Sequence, residues 1–149
     1  MRSHRPNTAA NSELDMVNPL ILRGVTLVTN GSYQEGFSLL DQAIHLQPNH
    51  SDTWYYRGDA LANLDRHSEA LESFDQSIAI EPNNADAWVF RGVVLIHLER
   101  YSEALESCDR AISLQATNRE AWTFRGAALQ RLGQYKKAYA SYQKATQEK

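Results

Sequence analysis

Apolar residues along the chain recur at helical spacing. Trp54, Leu61 and Leu64 follow one another at seven and three residues, and Ala70, Phe74 and Ile78 at four, so each set lies along one face of an α-helix. The polar run Asp65, Arg66, His67 separates the two sets. Pro82 ends the second, and Asn83 and Asn84 offer caps for whatever follows. Residues 51–84 are therefore predicted to be two helices joined by a short turn.

The same pattern returns every 34 residues without a gap, in units 17–50, 51–84, 85–118 and 119–149. Trp recurs at 54, 88 and 122, with Leu20 in the first unit. Gly recurs at 24, 58, 92 and 126, and Ala70, Ala104 and Ala138 share a column with Gly36. Small residues in register on both helices suit a close approach. Ala43, Ala111 and Ala145 form another column, with Ser77 as its exception. In the first unit Asn18 is predicted to cap, Pro19 to take the first helical position and Val17 to staple onto Leu22, while Ser32 and Glu35 have capping-box spacing. Residues 1–16 are polar and predicted to form a flexible tail. At the other end Thr146 and Glu148 replace Ile and Leu columns, as suits the last member of a stack.

On these columns residues 17–149 resemble the tetratricopeptide repeat family. The resemblance implies an all-α fold, a solenoid of four helical hairpins stacked into a right-handed superhelix, with a concave groove lined mainly by the first helices. Trp54, Trp88 and Trp122 would then be largely buried, and Cys108 would be a packing thiol standing where a bulkier residue is usual.

The sequence RG recurs within an apolar stretch, giving Arg23, Arg57, Arg91 and Arg125 where the family usually has an apolar residue. A buried guanidinium stem needs a partner for its head. The candidates form a second column, Asp41, Asp75 and Asp109, which becomes Gln143 in the fourth unit. Pairing within units would join Arg23 to Asp41 and leave Arg125 facing Gln143. Pairing between units would join Asp41 to Arg57, Asp75 to Arg91 and Asp109 to Arg125. The second scheme is favoured, because it alone explains why Asp disappears from the unit that has no successor.

Family geometry places the second, fifth, sixth, ninth, twelfth and thirteenth positions of each unit at or near the groove. The family's carboxylate clamp for chaperone tails needs Lys, Asn and Arg there. From the first unit the chain offers Ile21, Val25, Tyr56, Asp86 and Phe90 instead, and the next frame fares no better. The sixth position is Leu22, Tyr56, Phe90 and Phe124, one large apolar residue per unit. Ile21, Tyr55 and Val89 at the fifth position, with Val25 and Val93 at the ninth, extend this into an expected apolar ridge beside Asp59. The alternative is that the sixth position packs against the neighbouring first helix and is little exposed. Asp52, Asp86 and Glu120 at the second position form an acidic edge, either as favourable charge at helix N-termini or as a preference for basic ligands.

Composition narrows the function. With 42% hydrophobic and 22% charged residues the chain is globular, and a net charge of −3 speaks against a nucleic-acid surface. The single cysteine excludes an internal disulfide. The five histidines show no metal-ligand spacing, and neither a phosphate loop nor a nucleophile motif is present. No stretch approaches the length of a membrane span, which makes a cytoplasmic protein the expectation. The reading is a non-catalytic scaffold without metal or cofactor that holds an apolar, basic peptide or amphipathic helix of a partner protein. Self-assembly with further copies of the chain, or service as a docking or regulatory subunit for an enzyme encoded elsewhere, are the alternatives.

Overall fold

The computed structural model describes residues 8–147, and side chains from residue 17 onward. Eight helices lie among the described residues: α1 (Thr8–Thr29), α2 (Tyr33–Leu46), α3 (Ser51–Asn63), α4 (His67–Ile80), α5 (Ala85–His97), α6 (Tyr101–Leu114), α7 (Arg119–Arg131) and α8 (Tyr135–Thr146). Each odd-numbered helix packs on the even one that follows. Each even one packs on the next odd helix, and successive odd helices touch one another, as in a stack of hairpins.

Helix pairs close around the Gly column. A Cβ on Gly58 would sit 2.9 Å from the Phe74 ring, and one on Gly126 would sit 2.7 Å from that of Tyr142. At Gly92 the facing residue is Cys108, with its Sγ 3.1 Å from such a Cβ. Cys108 is fully buried, and burial, with Asp109 nearby, pushes its thiol up to about 12. It is a packing group and not a thiolate. The Ser77 exception is explained by Ser51, whose hydroxyl donates to the Ser77 carbonyl at 2.9 Å and lies 2.9 Å from its Oγ. The matching pair in the third unit is Ala85 and Ala111, so polar meets polar and apolar meets apolar.

Two local expectations are corrected. The first helix is described from Thr8 onward, so residues 8–16 of the predicted tail belong to α1 and Pro19 lies inside it. The upstream run TAANSELDM consists largely of residues that tolerate or favour helix, and the Asn18–Pro19 pair does not stop it. Residues 1–7 of that tail and Glu148 at the other end lie outside the described residues. Ser32 makes no side-chain cap to α2. At the same junction the later units hold Arg66 and Arg100, which form two-pronged bonds of 2.7–2.8 Å to Glu69 and Glu103. The glutamate column therefore serves an ion pair instead of a capping box. Trp54, Trp88 and Trp122 are mostly buried, as expected, and leave only part of each ring exposed. Each indole N–H donates to a carbonyl six residues upstream, on Pro48, Pro82 and Ala116, at 2.7–2.8 Å. The N–H edge of each ring is thus held at the inter-unit loop while the rest of the ring packs.

Candidate interaction groove and the arginine ladder behind it

On a helix of 3.6 residues per turn, positions 2, 6, 9 and 13 of each unit share one stripe, while positions 4 and 7 fall on the opposite side. The first stripe is the candidate groove face. The second carries the tryptophans and arginines.

The arginines bridge units. Arg57 Nε donates to Asp41 Oδ1 at 3.0 Å, Arg91 Nε to Asp75 Oδ1 at 2.6 Å and Arg125 Nε to Asp109 Oδ1 at 2.7 Å. Each guanidinium also donates through Nη1 to a serine of its own unit, Ser73, Ser107 or Ser141, at 2.6–2.7 Å. All three serines are fully buried, and each arginine carbon lies 5.5–5.8 Å from the centre of its unit's Trp ring. One arginine thus satisfies a carboxylate behind it, a hydroxyl beneath it and an aromatic face beside it. Sequence reading missed the serines. Their signal is a column that reads Ser73, Ser107, Ser141 but Leu39 in the first unit, where Arg23 is exposed.

The groove stripe runs Asn18, Leu22, Val25, Thr29 on α1, then Asp52, Tyr56, Asp59, Asn63 on α3. It continues as Asp86, Phe90, Val93, His97 on α5 and Glu120, Phe124, Ala127, Arg131 on α7. Leu22 is 70% exposed, whereas Tyr56, Phe90 and Phe124 are half-buried. Tyr56 packs against the cluster of Val28, Leu40 and Ala60, and Phe124 against that of Val89, Ala111 and Ala121. The sixth position therefore packs along one side and leaves its other side exposed. Ile21, Val25 and Val93 are half-buried as well. Val89 is fully buried beneath Ala111 and Ala121 and lines no groove. It is too short to emerge from the fifth position.

Tyr55, at that same position, is long enough to emerge. Its ring meets Tyr56, Phe74 and Phe90 edge-on with centroids 5.1, 5.9 and 6.1 Å apart. Burial raises its phenol well above the ordinary range, and the carboxylates of Asp86, Asp59 and Glu120 push in the same direction. The electrostatic character of this face is therefore negative. Asp52, Asp86 and Glu120 are exposed in the first turns of α3, α5 and α7. Besides His97, the stripe's one basic residue among those described is Arg131, whose guanidinium lies 5.2 Å from the centre of the Tyr101 ring.

Among the described residues no three His, Cys, Asp or Glu side chains are placed to hold a metal ion, and no helix is long and apolar enough to cross a membrane.

Sequence models described as tetratricopeptide repeat match residues 21–85, 65–132 and 120–149. No curated protein matches the chain. Among solved structures, the crystal structure of MamA superposes with a TM-score of 0.84 at 22% identity, over 92% of this chain and 80% of that one. A MamA fragment from Desulfovibrio magneticus RS-1 gives 0.81 at 24%, over 87% and 73%. The first TPR of Spaghetti (RPAP3), bound to the HSP90 peptide SRMEEVD, gives 0.77 at 20%, over 80% and 94%. At these identities the likeness is one of fold.

Proposed function

Because the chain belongs to the tetratricopeptide repeat family, we propose that it is a non-catalytic interaction scaffold whose groove holds a basic, amphipathic segment of a partner protein. The observation that carries this reading is the composition of the groove stripe. It presents Leu22, Tyr56, Phe90 and Phe124 beside Asp52, Asp59, Asp86 and Glu120, and its arginine is engaged elsewhere. An apolar ridge rimmed by polar groups is the usual form of an interaction site. A rim of one sign selects partners of the other.

The SRMEEVD peptide held by the RPAP3 neighbour ends in Glu, Glu, Val and Asp. Such a tail brings negative charge to a groove, and here it would meet carboxylates. The proposed ligand has the reverse chemistry, with leucine-like residues on one face and Lys or Arg on the other.

A fluorescent amphipathic probe helix of leucine and lysine, and a second probe with glutamate replacing lysine, test the reading by polarisation. The basic probe is expected to bind at least tenfold more tightly, and Phe90→Ser to weaken it by at least the same factor, about 1.4 kcal/mol. Equal binding of the two probes, or unchanged binding by a folded Phe90→Ser protein, would remove the groove from consideration.

A further inference from the structure

The four units serve as internal controls for one another, because a residue required by the fold recurs in its column. Two residues, Asp59 and His67, break their columns at the junction of the second and third units, and they meet there with His97, whose column holds no set residue. Asp59 stands where the other units have Val25, Val93 and Ala127. His67 stands where they have Tyr33, Tyr101 and Tyr135, and His97 where they have Thr29, Asn63 and Arg131. All three line a single notch of about 310 Å³ between α3 and α5, whose apolar wall is made by Ala62, Phe90 and Val93.

Asp59 is the informative member. Unlike Asp41, Asp75 and Asp109, it forms no ion pair among the described residues. Its Oδ1 accepts only from Asn63 Nδ2, at 2.9 Å. Burial holds its carboxyl above the ordinary carboxylate range despite that hydrogen bond. A half-buried carboxylate without a cation is costly, and the other units show that the fold runs on valine or alanine at this position. His67 and His97, in the same lining, stack with ring centres 4.5 Å apart and planes 19° from parallel.

We infer that this notch is a side-chain pocket for one arginine or lysine of the bound segment. The aliphatic stem lies against Phe90 and Val93, and the cationic head pairs with Asp59. The volume is at the small end of ligand pockets, which run from roughly 300 to 1,000 Å³, and so suits one side chain and not a whole small molecule. The inference rests on the groove reading above and refines it by naming the anchor and its socket.

Amide NMR titrations of the full chain with N-acetyl-arginine amide and N-acetyl-lysine amide test it, with N-acetyl-citrulline amide as the uncharged control. Shifts are expected to cluster at Asn63, Val93 and His97, with the citrulline compound at least tenfold weaker. The stronger of the two cations identifies the anchor. Asp59→Asn, which keeps an acceptor for Asn63, and Asp59→Val, the residue of two sister units, should each weaken cation binding at least tenfold while leaving the spectrum folded. Equal binding by Asp59→Val, or shifts confined to Asp52, Asp86 and Glu120, would overturn the pocket. The leucine–lysine probe helix then separates the two levels. If it binds wild type and Asp59→Val equally, the pocket falls and the groove stands. If wild type binds neither the helix nor the amides, both fall.

Discussion

Arg91 Nε donates to Asp75 Oδ1 at 2.6 Å across the junction between the second and third units, while its Nη1 donates to the buried Ser107 hydroxyl of its own unit. The two bonds differ in weight. Asp75 is about half exposed, so its pair is screened by solvent. Ser107 is fully buried and has only the arginine to accept from.

Truncating the two partners should therefore give unequal losses. Asp75→Ala is expected to cost about 0.2–1 kcal/mol, as for other exposed pairs. Arg91→Ala should cost about 1–3 kcal/mol, because a buried hydroxyl loses its partner and a Trp88 face loses its cover. Urea unfolding of both variants, and of Arg91→Ala with Ser107→Ala, measures this. The second change should restore part of the arginine loss, and equal losses for Asp75→Ala and Arg91→Ala would refute the division.

The glycine column makes a second comparison. Alanine is intrinsically better than glycine in a helix by about 1 kcal/mol, so the sign of Gly→Ala depends on what the new methyl meets. At Gly58 it meets the Phe74 ring at 2.9 Å, and at Gly92 the Cys108 sulfur at 3.1 Å. Gly58→Ala is expected to destabilise by about 1–3 kcal/mol through overpacking. Gly92→Ala should lie within about 1 kcal/mol of wild type, since one sulfur yields more readily than a ring wedged in a core. Thermal unfolding of the pair decides the ranking.

The turns between paired helices need a left-handed residue. Gly31 and Gly133 supply it with φ of 89° and 81°, whereas Asp65 and Glu99 are forced to 61° and 59°. Left-handed backbone costs a residue with a side chain about 1–2 kcal/mol, and part of that returns as greater freedom of glycine in the unfolded chain. Glu99→Gly should therefore stabilise by about 0.5–1 kcal/mol, read as a rise in Tm. A fall would show that the Glu99 side chain contributes more than its backbone strain costs.

Periodicity made the hairpins, their register and the inter-unit direction of the Arg–Asp pairs legible, because each was written several times over and the Asp column gives way to Gln143 in the fourth unit. Much of what escaped was set by neighbours that no column identifies. Whether Val89 reaches the groove depends on how far Ala121 covers it. Tryptophan marked buried positions, but nothing in its column identifies the carbonyls of Pro48, Pro82 and Ala116 that accept from each indole N–H. The serines beneath the arginines do form a column, Ser73, Ser107 and Ser141, but a small hydroxyl residue does not by itself identify its partner. The His67–His97 stack depends on two helices meeting, and neither residue belongs to a recurring pattern.

That stack should make the protein sensitive to mild acid. The His67 side chain is 20% exposed, and its Nδ1 is buried without a hydrogen-bond partner. Burial first, and the proximity of His97 second, hold the His67 ring below the ordinary histidine value. Asp65 pulls the other way from 3.8 Å, but it is 93% exposed and therefore screened. The unfolded chain then takes up a proton at pH values where folded His67 does not. Stability from this group is complete above the ordinary histidine value of about 6.5 and is lost as pH falls from there toward the depressed folded value. Asp59, across the notch, acts oppositely in the carboxylate range, since burial raises its folded value and protonation favours the folded form. Replacing His67 with tyrosine, the residue of the other three units, removes the histidine contribution and leaves Asp59 in place. The difference in Tm between His67→Tyr and wild type should therefore grow in favour of the variant between pH 7 and pH 5. Parallel curves across that window would show that His67 titrates alike in both states.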